Sequence, residues 1–241
     1  MRLLKTAMKP IYAILQRPRL RYSGTFIAIE RIFGFLPYEQ LTKTIMEFVA
    51  YSNLEGDYLE FGVFEGAHFT AAFHFARLNK LDSMNFYAFD SFLGLPEVTG
   101  VDRNAPRQFS KGEYSCDAET FARNISRDGV EMNRVKLIPG WFSETLTDET
   151  KQSLKLQKAA VIWIDCDLYE STVPVLDFVV DYVQDGTVLI FDDWFCFNGN
   201  PVYGQQKAFK EWLERNPTIS ASEFHKYGWA GISFLLHRQT N

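Results

Sequence analysis

The chain has 241 residues, enough for one sizeable domain, and its 25 basic and 30 acidic residues leave a formal charge of −5. This mild acidity argues against nucleic acid as the main partner. The widely spaced Cys116, Cys166 and Cys196 form neither a disulfide framework nor a C-x-x-C zinc site, so a reducing cytoplasm is the expected compartment. No apolar run approaches the roughly 20 residues of an integral membrane segment.

Residues 1–37 carry Arg2, Lys5, Lys9, Arg17, Arg19 and Arg21 interleaved with Leu3, Leu4, Met8, Ile11 and Leu15. They are expected to form an N-terminal helical arm, a lid or a dimer contact, with a membrane-surface helix as the alternative. The main domain is expected over 38–241. It opens with a helix over Tyr38–Ser52, where Leu41, Ile45, Phe48 and Val49 fall at helical spacing. Tyr58, Leu59, Phe61 and Val63 then predict a buried strand that carries Glu60 and runs into a turn and a helix over Ala67–Leu78. Gly62 and Gly66 in that turn let backbone approach a ligand, and the helix start offers N–H groups to an anionic end. The spacing is not G-x-G-x-x-G, which disfavours a nicotinamide cofactor.

The run NFYAFD predicts a second strand ending at Asp90, placed where open α/β sheets hold ribose hydroxyls. The other reading is an aspartate opening a turn before Ser91. The Gly- and Pro-punctuated segment that follows is expected to be a mobile loop able to fold over a cofactor. A helix around Asp117–Ser126 and a short strand over Val135–Ile138 come next, the strand closed by Pro139 and Gly140. Ala159–Ile164 ends at Asp165, and Thr187–Phe191 ends at Asp192 and Asp193; both are wholly apolar and are expected to be central strands. Gln205–Arg215 supplies a helix and Gly231–His237 a late strand. The alternation predicts an α/β fold of Rossmann-like type, a mostly parallel, doubly wound sheet with helices on both faces.

Asp165, Asp192 and Asp193 leave neighbouring strands on the side where such sheets bind ligands. Three carboxylates that close repel one another unless a cation joins them, and oxygen-only ligands favour Mg²⁺. Asp167 reads equally as a helix N-cap or as part of an Asp165-Cys166-Asp167 D-x-D motif, the glycosyltransferase reading. That rival leaves Glu60 to Gly66 and Asp90 without a role. Trp194, Phe195, Phe197 and Tyr203 follow the paired aspartates, either as core or as a platform for an acceptor.

The ordered set EFGVFEG, AFDSFLGLPE, LIPGWFSETL, IDCDLYEST and LIFDDW resembles the macrocin O-methyltransferase family of class I S-adenosylmethionine-dependent enzymes, over about Tyr38 to Trp212. The resemblance implies methyl transfer to a hydroxyl of a small molecule, a sugar or other natural product, and a homodimer. It places Glu60, Gly62 and Gly66 around the methionine part of S-adenosylmethionine and Asp90 on its ribose. It sets Ser91 and Phe92 beside the adenosine, with Gly140, Trp141 and Phe142 beside the adenine. It makes Asp165, Asp192 and Asp193 the ligands of Mg²⁺, with Asp165 also the general base. His68 stands where related enzymes place a small hydroxyl residue, and either donates to the cofactor carboxylate or packs.

Overall fold

The computed structural model describes residues 37–106, 109–154 and 156–239. The N-terminal arm therefore lies outside the described residues. Helix α1 (Pro37–Tyr51) leads into β1 (Asp57–Phe61), α2 (Ala67–Leu78) and β2 (Phe86–Asp90). A 3-10 turn at Gly100–Asn104 interrupts the next loop, before α3 (Ala118–Arg127), β3 (Val135–Pro139) and the short helices α4 (Phe142–Thr145) and α5 (Asp148–Leu154). Then come β4 (Ala159–Ile164), α6 (Tyr169–Val179), β5 (Val188–Phe191), α7 (Gly204–Arg215), β6 (Ile219–Tyr227) and β7 (Gly231–Arg238).

The strands form one seven-stranded sheet in the order β3-β2-β1-β4-β5-β7-β6. Strands β1 to β5 pair in parallel, and β7 pairs antiparallel with both β5 and β6. The order reverses direction at β1, so the C-terminal ends of β1 and β4 flank the crevice where such sheets place a ligand.

Alternation along the strands divides the core into two layers. Leu59, Phe61, Phe89, Ile162, Ile164 and Phe191 face α6 and α7. Tyr58, Phe86, Ala88, Val161, Trp163 and Ile190 face α1, α2 and α3. Every residue of β4 and β5 is buried, which is why neither strand alternates in polarity. Helix α2 is buried along nearly its whole length, whereas the peripheral α3 buries only Phe121 and Ile125. Asp117 starts α3 by accepting a hydrogen bond from the Thr120 amide at 2.8 Å, an N-cap that satisfies one of the free N–H groups of the first turn.

Two expectations change. The C-terminal part is a hairpin and not a single strand: β6 reads ISASEFHKY, and its largely exposed, polar face hid it from a search for apolar runs. The segment after Asp90 is not free of the core. Leu95, Ala105 and Phe109 are buried in a small apolar cluster with Leu168, Cys196 and Phe197, and Leu95 pairs with Gly112 and Glu113 at the neck of the loop. No helix among the described residues is long and apolar enough to cross a membrane, and the three cysteines are free.

Candidate active site

The C-terminal ends of β1, β2, β4 and β5 open into one cavity of about 570 Å³, within the size range of cofactor and ligand sites. Gly62, Asp90, Ser91, Trp141, Phe142, Asp165, Asp192 and Asp193 line it, so most of the residues singled out in the sequence meet there. Glu60, Gly66, His68 and Phe92 lie outside its walls. Phe92 is buried against Phe121, with ring centroids 5.8 Å apart.

The glycines serve the chain before they serve a ligand. A Cβ on Gly62, whose φ is +87°, would lie 1.8 Å from the carbonyl oxygen of Asp165. One on Gly66 would lie 2.5 Å from Ile125 Cγ2. Gly62 thus lets the ends of β1 and β4 close on each other, where the Asp165 amide donates to Phe61 O at 2.8 Å. Gly66 lets α3 pack on the turn.

Asp90 does more than end β2. Its Oδ2 accepts from the Val63 amide at 2.7 Å, and its Oδ1 accepts from the Phe92 amide at 2.7 Å. One carboxylate thereby fixes the loops after β1 and β2, which combines the turn-opening reading with a place at the cavity wall. Burial raises its pKa above the ordinary aspartate value, and the amide hydrogen bonds pull the other way.

A polar centre borders the cavity through Asp165 and Asp192 and extends into the apolar layer under α1 and α2. Glu60 shares its strand face with Tyr58, whose hydroxyl donates to Glu60 Oε2 at 2.5 Å. The His68 ring is stacked on Trp163, with centroids 4.7 Å apart, and its Nδ1 lies 3.2 Å from Asp165 Oδ2. Asp192 Oδ1 accepts from the Tyr227 hydroxyl at 2.5 Å. Burial, then Asp192, Asp193 and Asp90, hold the Asp165 carboxyl well above the usual range. Burial and Asp192 likewise raise the Tyr227 phenol. Ligand atoms of His68, Asp165 and Asp192 all lie within 4.8 Å of one another, a spacing that one cation can bridge. The third residue of that group is His68, where the sequence points to Asp193, which lines the cavity and accepts a hydrogen bond from Cys196 Sγ at 3.4 Å.

Burial pushes Glu60 from 4.5 up to about 8. Folded protein then keeps a proton that the unfolded chain loses in that pH window, so the stability tied to Glu60 is full at low pH and declines as pH rises through it. Glu60→Gln, a neutral isostere, is expected to raise the unfolding temperature of metal-free protein by several degrees at about pH 9. Near pH 4.5 the two proteins should unfold together. An equal shift at both pH values would remove Glu60 as the titrating group.

Sequence reading missed Tyr227 and Trp229. Tyr227 ends β6 and Trp229 lies in the turn that follows it, where it lines the cavity while remaining 69% exposed. The signal was YGWAG, a glycine-flanked turn between two segments of strand character. Of the two readings of Trp194, Phe195, Phe197 and Tyr203, packing fits the structure, since none of them lines the cavity. Trp194 packs on Phe191, Phe209 and Phe234, and Phe197 on Phe109. Asp167 is not an N-cap: helix α6 is preceded by Leu168, and its Tyr169 amide is capped by Asp102.

A family model described as Macrocin-O-methyltransferase (TylF) matches residues 31–215. The chain is 31% identical over 153 residues, 62% of this chain and 57% of the relative, to an 8-demethyl-8-(2,3-dimethoxy-alpha-L-rhamnosyl)-tetracenomycin-C 4'-O-methyltransferase of Streptomyces olivaceus. It is 27% identical over 148 residues, 59% of this chain and 56% of the relative, to a mycinamicin III 3''-O-methyltransferase of Micromonospora griseorubida. The chain thus spans less than two thirds of the length of these curated relatives. Among solved structures, that of the O-methyltransferase NovP superposes with a TM-score of 0.68 at 21% identity, over 83% of this chain and 79% of that one, which shows the shared fold. With more than half of its residues matched by the family model, the chain belongs to the macrocin-O-methyltransferase (TylF) family.

Proposed function

We propose that the protein is an S-adenosylmethionine-dependent O-methyltransferase that acts on a hydroxyl of a sugar or a related small natural product, with a divalent cation. The observation that carries this reading is one continuous cavity with Asp90, Trp141 and Phe142 in its wall together with Asp165, Asp192 and Asp193. Asp90 stands at the end of β2, the position for ribose hydroxyls, and Trp141 and Phe142 offer aromatic faces to an adenine. Both named relatives methylate hydroxyls of natural products, and their names extend that chemistry to this chain by kinship.

The donor set fits a cation. Asp165 and Asp192, with His68 or Asp193 as the third ligand, would hold it, and the mutual repulsion that raises the Asp165 pKa would be relieved. Carboxylate oxygens suit Mg²⁺, and an imidazole nitrogen moves the preference toward Mn²⁺. When bound, such a cation supplies Lewis-acid activation and orientation of the acceptor hydroxyl. The protein's own part is positional. Gly62 and Asp90 fix the loops around the methyl donor, and the acceptor oxygen must lie in line with the sulfonium methyl. Asp165, in the cavity wall, is the candidate carboxylate to receive the hydroxyl proton.

Incubation with methyl-labelled S-adenosylmethionine and a panel of rhamnosides and other glycosides tests the assignment. Label should enter a sugar hydroxyl, disappear with EDTA and return with Mg²⁺ or Mn²⁺. Glycosyl transfer from a nucleotide sugar, with no methyl transfer, would contradict it.

A further inference from the structure

A buried carboxylate joins the loop that closes one side of the cavity to the starts of two helices. Leu95, Pro96, Glu97 and Thr99 line the cavity before the 3-10 turn, and Glu113 and Tyr114 line it after. Asp102, inside that turn, is 1% exposed. Its Oδ2 accepts from the Tyr169 amide at 2.6 Å and its Oδ1 from the Gly204 amide at 2.9 Å. These are the first residues of α6 and α7, the helices that follow the strands ending at Asp165 and at Asp192 and Asp193. Two free helix-start N–H groups on separate segments are thus satisfied by one side chain from a third. A second tie lies beside it, from the Val101 amide to Glu170 Oε1 at 2.9 Å.

We propose that Asp102 is a positioning residue for the cofactor: it couples the cavity-lining loop to the two segments that carry the acidic centre. The proposal rests on the S-adenosylmethionine reading for the ligand whose affinity it controls. Docking the loop through Asp102 pre-forms a wall of the cavity. Without it the chain must order the loop at the moment of binding, and affinity is multiplied by the fraction of molecules in which the loop is already docked. An asparagine at this position has one acceptor oxygen and turns an N–H₂ group toward the other amide, so Asp102→Asn breaks one tie and keeps the size of the side chain.

Calorimetric titration with S-adenosylhomocysteine is the test, well below the unfolding temperature, for wild type, Asp102→Asn and Arg134→Ala. Arg134 donates to Leu81 O and Met84 O at 2.7 and 2.6 Å, at the start of β2 and away from the cavity, and reports plain loss of stability. Asp102→Asn should bind about tenfold more weakly, and Arg134→Ala as wild type does. Trypsin gives a second readout, because Arg103 and Lys111 lie in the loop: Asp102→Asn should be cut there faster than wild type. Unchanged affinity in Asp102→Asn would overturn the proposal whatever the cleavage, as would an equal loss of affinity in Arg134→Ala. If the wild type fails to bind, the cofactor reading falls instead. Cleavage alone then decides whether Asp102 anchors the loop.

Discussion

Asp165→Asn is expected to lower methyl transfer by about three orders of magnitude while leaving S-adenosylhomocysteine affinity within about threefold of wild type. The size of the loss follows from two roles in one carboxylate. Asp165 is the proposed proton acceptor, and it stands between His68 and Asp192 in the only described group of three side chains spaced to hold a cation. The variant should remain folded. Burial and the charges of Asp192, Asp193 and Asp90 already oppose ionisation of Asp165, so a neutral amide relieves repulsion that the native centre carries. Labelled-methyl transfer, calorimetry and thermal unfolding on the same preparation separate these effects. Activity near wild type would remove Asp165 from the chemistry, and loss of cofactor binding would make it a structural residue of the cavity.

Gly62→Ala should be damaging for a different reason. The new methyl group would meet the Asp165 carbonyl oxygen at 1.8 Å, and backbone cannot step aside as the end of a side chain can. The residue also holds φ at +87°, where an L side chain is strained. Relief requires the ends of β1 and β4 to part, displacing Asp165 and the loop that Asp90 braces. A loss of about 3 kcal/mol in stability and of at least about a hundredfold in S-adenosylhomocysteine affinity is expected. Chemical denaturation and calorimetry read the two. Native stability and affinity in this variant would show that the contact between β1 and β4 does not shape the cavity.

The parts of the fold that could be read in the sequence were those specified by local pattern. The apolar run AAVIWI has no polar alternation because β4 is covered on both faces, and Pro139 and Gly140 punctuate the end of β3 where the structure ends it. Strand β6 escaped because Ile219 is its one buried residue and most of the others face water. The acids at strand ends were legible for the same local reason, since an apolar strand that stops at an aspartate marks its own C-terminal end.

What the sequence hid were the partners. Asp102 reaches amides 67 and 102 residues away, and no spacing rule connects them. His68 was placed by its position at a helix start, yet its ring turns toward Asp165 and stacks on Trp163, because β4 brings both residues beneath α2. The glycines were read as sites where backbone approaches a ligand, and the structure shows chain against chain at Gly62 and Gly66. Tyr227 and Trp229 lie beyond residues 31–215, the span matched by the family model, so this chain completes its site with a hairpin that the model does not cover.

The most direct measurement is a calorimetric titration of the purified protein with S-adenosylhomocysteine, with and without Mg²⁺, and with UDP-glucose as the control ligand. Binding of S-adenosylhomocysteine at micromolar or lower concentration, with no heat from UDP-glucose, is the result expected of a cavity built around Asp90 and Gly62. No binding of S-adenosylhomocysteine, with metal-dependent binding of UDP-glucose, would contradict the methyltransferase account.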